Sequence, residues 1–287
     1  MRIGISPFAS TRDGSAAVAD VAIAGGIDTF WLGEGLLEMP AFPVWSGGME
    51  PLTWLAYLAG QHPGIRVGLG ASVLPLRDVQ WLAKQSATLD QLTAGNHVLA
   101  LAPGFWASEF AYRGVDFESR GAALDGLLDA LVAAFAGEPY ASAHVRLADG
   151  ARLSPRPHNG VAPQLWLAGG AATMRRAQER GWPFQARGAS PAELAPTTRT
   201  WFEGGGGLLG LRVAVRVTDE PTSSAHLSGY AVTGSPVEVA QTLADYAALG
   251  VCDVSLIPGH DDEASLATTK ALVDEVLPRL ADLTAGL

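Results

Sequence analysis

The sequence predicts a single α/β barrel of the (β/α)8 TIM type, with a short excursion around residues 137–163. Three observations carry this. Eight strand-like runs are each followed by a helical run or an excursion, and alternating βα units imply a parallel sheet with right-handed crossovers. The 287 residues fit one barrel of about 250 residues as well as they fit two smaller domains. Third, no internal boundary shows: the Gly204-Gly-Gly-Gly207 run is too short for an interdomain linker and reads as the approach to a strand. Residues 1–287 are therefore expected to form one domain.

The elements follow in order. Residues 2–6 read as a strand, and 15–25 as an Ala-rich amphipathic helix stopped by Gly25-Gly26. Residues 29–33 form a second strand, and 52–61 a helix closed before His62-Pro63. Residues 66–73 make a third strand; 78–93 a long helix with Leu82, Leu89 and Leu92 on its apolar side, ended by Ala94-Gly95-Asn96. Strand 97–102 and helix 118–136 come next. The Pro- and Gly-rich residues 137–163 break the rhythm and suggest a hairpin on one face. Strand 164–168 and helix 171–180 restore it, followed by a weaker strand at 183–187 and helix at 191–203. Residues 211–218 are a clear strand and 219–235 a polar loop. A helix over 236–249 starts with Pro in its first turn. Strand 252–257 and helix 262–283 close the chain.

Composition removes several function classes. Hydrophobic residues make up 48%, charged residues 17%, and mean hydropathy is +0.18, which excludes a disordered chain and predicts a large core. With a net charge of −10 and only two lysines, Lys84 and Lys270, there is no basic stripe for nucleic acid. Cys252 is the single cysteine, so neither a disulfide framework nor a zinc site is available, as expected of a reducing compartment. No signal-like or membrane-spanning stretch is visible, and the protein reads as cytoplasmic.

A barrel of this kind places its chemistry at the C-terminal ends of its strands. The most informative segment there is Leu165-Trp-Leu-Ala-Gly-Gly-Ala-Ala-Thr-Met174. Glycines let backbone N–H groups approach a ligand, and a helix N-terminus carries partial positive charge. Gly169, Gly170 and the Thr173 hydroxyl thus read as a phosphate cradle, or as a tight turn with no ligand. The run Arg66-Val-Gly-Leu-Gly-Ala-Ser-Val-Leu-Pro-Leu-Arg77 has glycines inside a strand, which mark a bulge or a close backbone approach. A flat aromatic ligand, or merely a barrel corner, fits them. In Ala102-Pro-Gly-Phe-Trp106, Phe105 and Trp106 suit an apolar pocket wall or core packing. Arg120 suits a phosphate or a solvated ion pair. The six histidines lack metal-ligand spacing, and HExxH, GxSxG and Walker A motifs are absent. Gly205-x-Gly207-x-x-Gly210 matches GxGxxG, but it precedes a strand. With no nucleophile or metal evident, a cofactor carrying its own chemistry is the economical reading.

Several of these motifs, in this order, resemble the bacterial-luciferase-like superfamily of flavin-dependent barrel oxidoreductases. Residues 66–78 resemble its third strand, and 82–95 the helix after it. Ala102-Pro-Gly-Phe-Trp with Gly114-Val-Asp-Phe-Glu-Ser-Arg120 is similar to its fourth strand and following loop. Residues 168–181 resemble its phosphate loop and helix, and Thr233-Gly-Ser-Pro-Val-Glu-Val-Ala240 the opening of a late helix. The resemblance implies FMN, or alternatively the deazaflavin coenzyme F-420, bound at the C-terminal face. It implies a bulge with a non-prolyl cis peptide at Gly70–Ala71 against the ring, beside Ser72. Pro103, Gly104, Arg120, Ala168, Gly169, Gly170 and Thr173 would line the cofactor site. It also implies a homodimer built on the early helices.

The sequence departs from that pattern in places. Gly35 falls where luciferases carry a histidine base after the second strand, leaving Glu34 as the ionisable group there. Pro103 stands where luciferase has a phosphate-binding arginine, and the long lid insertion is missing. The expected activity is an FMN-using monooxygenase that takes reduced flavin from a separate reductase and, with dioxygen, oxidises a small organic substrate. Phe8, Trp45, Phe105, Trp106, Phe184 and His226 are its candidate pocket residues. Hydride transfer with F-420, or a barrel that binds flavin without turnover, are the alternatives.

Overall fold

The computed structural model describes residues 1–8, 10–38, 48–150, 152–219 and 229–286, and the backbone of 225–226. The first half contains β1 (Arg2–Ile5), α1 (Arg12–Ala24), β2 (Thr29–Leu32), α2 (Pro51–Gln61), β3 (Val67–Val73), α3 (Val79–Leu92) and β4 (His97–Ala102). Then come α4 (Ala107–Arg113), α5 (Arg120–Ala136) and a two-stranded hairpin, β5 (Tyr140–Ala141) with β6 (Arg146–Leu147). The second half contains β7 (Gln164–Ala168), α6 (Ala171–Arg180), β8 (Phe184–Arg187), α7 (Pro191–Glu203), β9 (Leu209–Val217), β10 (Ala225–His226) and β11 (Gly229–Gly234). It ends with α8 (Pro236–Ala248), β12 (Asp253–Ile257), α9 (Asp262–Ala271) and α10 (Leu277–Thr284), the last two joined by a π-turn at Leu272–Val276.

Strands β1, β2, β3, β4, β7, β8, β9 and β12 pair in parallel in that order, and β12 pairs back with β1. The ring is closed, a (β/α)8 barrel. Its strands are buried on both faces, so they read as continuous apolar runs and not as alternations. Local chemistry starts the helices where the chain needs them. Ser190 and Ser235 form capping boxes with Glu193 and Glu238 at the starts of α7 and α8, each with Pro in the first turn. Gly114, Gly137 and Gly181 end α4, α5 and α6 in the left-handed conformation.

The main core fills the space between strands and helices, for example Leu69, Leu99, Leu211, Leu128 and Leu243. Inside the ring a second cluster forms around Trp31, Val98, Ala100 and Trp166. The two indoles explain several glycines within strands. A Cβ on Gly68 would lie 2.1 Å from the Trp31 ring and one on Gly4 2.5 Å, while one on Gly210 would lie 2.6 Å from Trp166. At the N-terminal end of the ring, buried Asp253 accepts from Arg2 at 3.0 Å and Arg66 at 3.2 Å. The two guanidinium groups share this one carboxylate.

Three segments differ from the sequence expectation. The stretch before α5 holds the additional helix α4, capped at its C-terminus by Gly114. Part of the expected polar loop at 219–235 is β11, which pairs in parallel with the end of β9 (Ala231 with Ala214). Its short run hides the signal, although Ala231 and Val232 are buried. The closing helix is interrupted by the π-turn.

Candidate functional site

Strand β3 carries the irregularity the glycines suggested. Its register against β4 shifts between Leu69 and Ser72, and the Gly70–Ala71 peptide is cis. Part of the glycine requirement is internal, since a Cβ on Gly70 would lie 2.8 Å from the Trp31 indole. Ser72 is fully buried, and its hydroxyl has no partner among the described residues.

Arg212 on β9 is a residue the sequence reading did not select. Its Nη1 donates to the Gly70 carbonyl, and its Nη2 donates to Ser6 Oγ at 3.1 Å. The same guanidinium lies against Gly33 just beyond β2, 2.7 Å from where a Cβ would be. It therefore spans the ring to the C-terminal ends of β1 and β2 and to the bulge midway along β3. Gln185 of β8, also buried, approaches Gly70 from the other side, with Oε1 3.5 Å from the Cβ position. Burial pulls the Arg212 pKa down to about 10. The signal in the sequence was a cation alternating with apolar residues in Leu209-Gly-Leu-Arg-Val-Ala-Val.

At β7 the chain turns through Gly169, at φ 154°, and Gly170 into α6. Gly170 is the N-cap and supplies no side-chain cap; a Cβ there would meet nothing within 4 Å. Thr173 is buried with its hydroxyl facing the Gly169 backbone. Arg176, in the second turn of α6, ties that helix to α5, pairing with Asp125 at 3.0 Å and donating to the Gly121 carbonyl at 2.9 Å. The start of α6, just after Ala168, carries no side-chain cap. That is the electrostatic arrangement that binds anions.

Glu34 is engaged. It accepts from Arg77 at 2.6 Å and from the Val73 N–H at 3.2 Å, while Arg77 also reaches Glu50 at 2.8 Å. A neighbouring carboxylate was not among the candidate site residues: buried Glu109 of α4 accepts the Leu36 N–H at 2.6 Å. Burial pushes its pKa up, against the hydrogen bonds it receives. Arg120 stacks on Phe117 and donates to the carbonyls of Gly104 and Phe117. It braces the loop after β4 and so holds Pro103 and Gly104 in place.

The aromatic candidates separate. Phe8 packs on Ala214, Ala231 and Ile257 at the upper end of the ring. Phe105 is exposed and Trp106 half-buried at the start of α4. Phe184 does not line the mouth. It is the first residue of β8 and is fully buried in the main core, its ring 5.6 Å from that of Trp201. A large apolar side chain at the N-terminal end of a barrel strand packs under the helices. Trp45 lies outside the described residues, as does the side chain of His226.

The family model for luciferase-like monooxygenases matches residues 9–205. No curated protein sequence matches the chain. Among solved structures, the chain is similar to the monooxygenase RslO1 from Streptomyces bottropensis, at 17% identity and TM-score 0.82, covering 97% of this chain and 99% of that one. It is similar to the oxygenating constituent of 3,6-diketocamphane monooxygenase from Pseudomonas putida in complex with FMN, at 16% identity and TM-score 0.77, covering 98% of each. It is also similar to the coenzyme F420 dependent tetrahydromethanopterin reductase from Methanopyrus kandleri, at 14% identity and TM-score 0.80, covering 97% and 99%.

Proposed function

The chain belongs to the luciferase-like monooxygenase family, and from that premise we propose that it is an FMN-using monooxygenase acting on a small organic molecule. The observation that carries the reading is the pairing of an uncapped helix start at Gly169-Gly170 with a bulged β3 in the same ring. The first suits the phosphate of a flavin nucleotide. The second offers the edge of a ring system a kinked backbone, together with a buried Ser72 hydroxyl lacking a partner among the described residues. The residues present therefore fit the cofactor. Gly169, Gly170 and Thr173 would hold its phosphate; Gly70, Ala71 and Ser72 would face its ring; Ala168, Pro103 and Gly104 would shape the space between. Reduced flavin from a separate reductase would supply two electrons to dioxygen.

The chain's own part is to bind, orient and exclude water. Phe8, Phe105 and Trp106 supply apolar wall for a substrate. Glu34, fixed by Arg77, orders the end of β3 through the Val73 N–H. Its ion pair favours a positioning role over proton transfer. Glu109, whose burial raises its pKa, is the second carboxyl beside Glu34 and the candidate for proton exchange. The protein is expected to be a cytoplasmic homodimer. Tyr57 of α2 and Trp81 of the adjacent α3 present apolar surface, with Trp81 63% exposed, and a second copy would cover them.

Titrating the purified protein with FMN and with F-420, followed by visible absorption, tests the cofactor. Oxygen uptake with reduced FMN, across a panel of small ketones, aldehydes and aromatics, tests the reaction. Binding of F-420 alone would turn the assignment to hydride transfer. FMN binding without any substrate-dependent oxygen uptake would make the barrel a binding protein.

A further inference from the structure

We propose that Arg212 recognises an anion at the floor of the barrel mouth, and that this anion is the negatively charged ring of reduced flavin. The inference rests on the flavin reading above and adds a redox preference to it. Adding two electrons and one proton to the neutral oxidised ring leaves it with one negative charge, so a cation at the floor favours the reduced form alone.

The geometry points to an incoming charge. Arg66 and Arg77 lie against carboxylates, and Arg176 does so too. Arg212 meets the neutral Gly70 carbonyl and Ser6 hydroxyl. Its Nε is shielded from solvent, and among the described residues it has no partner and no carboxylate pairs with the guanidinium. Two neutral acceptors need only a neutral donor. Enclosing a full charge to serve them is unfavourable unless an anion arrives. The guanidinium sits at the C-terminal ends of β1 and β2, and it touches the carbonyl of the β3 bulge itself. A planar fork of N–H donors is suited to a delocalised anion, such as the N1–C2=O edge of the ring.

The test is the affinity of the protein for oxidised and for reduced FMN, measured anaerobically on wild type, Arg212→Met, Arg212→Gln and Arg212→Lys. Gln keeps a donor for Gly70 or Ser6 without the charge and guards against a variant that fails to fold. Wild type should bind reduced FMN more tightly than oxidised. Met and Gln should lose at least tenfold for reduced FMN and less than threefold for oxidised, while Lys keeps most of the preference. Each tenfold lost lowers the midpoint potential of the bound couple by about 30 mV. Equal losses for both forms would make Arg212 a brace for β3 and overturn the proposal, as would unchanged affinities. Benzoate serves as a probe of a substrate-like anion. If it binds without flavin and Met abolishes that while leaving the FMN ratio intact, the floor belongs to the substrate and the proposal falls. Absence of FMN binding to wild type would sink the cofactor reading together with this one, whereas binding with no redox preference would sink this one alone.

Discussion

Replacing Gly170 by Asp should move stability and cofactor affinity in opposite directions. Gly170 is the N-cap of α6, at φ −93° and ψ −168°, with nothing within 4 Å of its Cβ position. Any L-residue can adopt that backbone, and Asp there would accept from the first-turn N–H groups. Capping adds a few tenths of a kcal/mol over Gly, and losing Gly's freedom in the unfolded chain adds about 0.4–1 kcal/mol. Together these raise stability by about 1 kcal/mol and Tm by about 2–4 °C for a chain of this size. The same carboxylate would stand about 5 Å from a phosphate on the helix start. At an effective dielectric of about 40, each pair of charges costs about 1.7 kcal/mol, so a near-dianion loses about 10- to 100-fold in affinity after salt screening. Differential scanning fluorimetry and FMN titration read the two effects. Gly170→Asn, a neutral cap of the same shape, should keep the stability gain without the charge repulsion. Unchanged FMN affinity in the Asp variant, with Tm raised, would show that the phosphate lies elsewhere.

Buried His97 pairs with Ser86 at 3.0 Å, and burial lowers its pKa to about 3. The unfolded chain takes up a proton near pH 6.5 that the folded chain refuses, so stability falls as pH drops below that value toward 3. Wild type should lose about 2 kcal/mol more than His97→Gln between about pH 7 and pH 5 in urea unfolding, and parallel losses would refute the assignment. Gly68→Ala should cost about 1–3 kcal/mol, because its Cβ would lie 2.1 Å from the Trp31 indole; a melting curve like wild type would mean the ring interior is looser than described. Trp81→Glu should convert a dimer to monomer by light scattering without lowering Tm in dilute protein, since the side chain is 63% exposed in the single chain. A wild-type monomer would remove that interface.

The order of elements was legible in the sequence because each βα unit carries its own local signals. Apolar runs mark the strands, Ser-Pro-x-Glu-type starts open α7 and α8, and glycines stop α4, α5 and α6. The glycine turn into α6 and the bulge on β3 were also legible, because the φ of Gly169 and the space at Gly70 are met only by glycine. What Glu34 and Arg120 do was not legible. Each has its partners fixed by chain segments distant in sequence or by the bend of its own loop, Arg77 and Val73 for one, Gly104 and Phe117 for the other. Phe184 misled for a similar reason, since an aromatic at a strand's lower end and one at its upper end look alike in one dimension.

By itself the sequence determined that eight βα units follow one another, and which turns are open enough to receive a ligand. Only closure of the ring decided which side of each strand faces the interior. In a barrel buried on both faces, apolar residues point both ways, so a strand's pattern does not say which set enters the ring. Arg212 and Arg216 share one side of β9, yet Arg212 spans the floor while Arg216, a turn of the pleat higher, is exposed. That placement depends on where Ser6, Gly33 and Gly70 arrive from three other strands, and no local property of the chain encodes it.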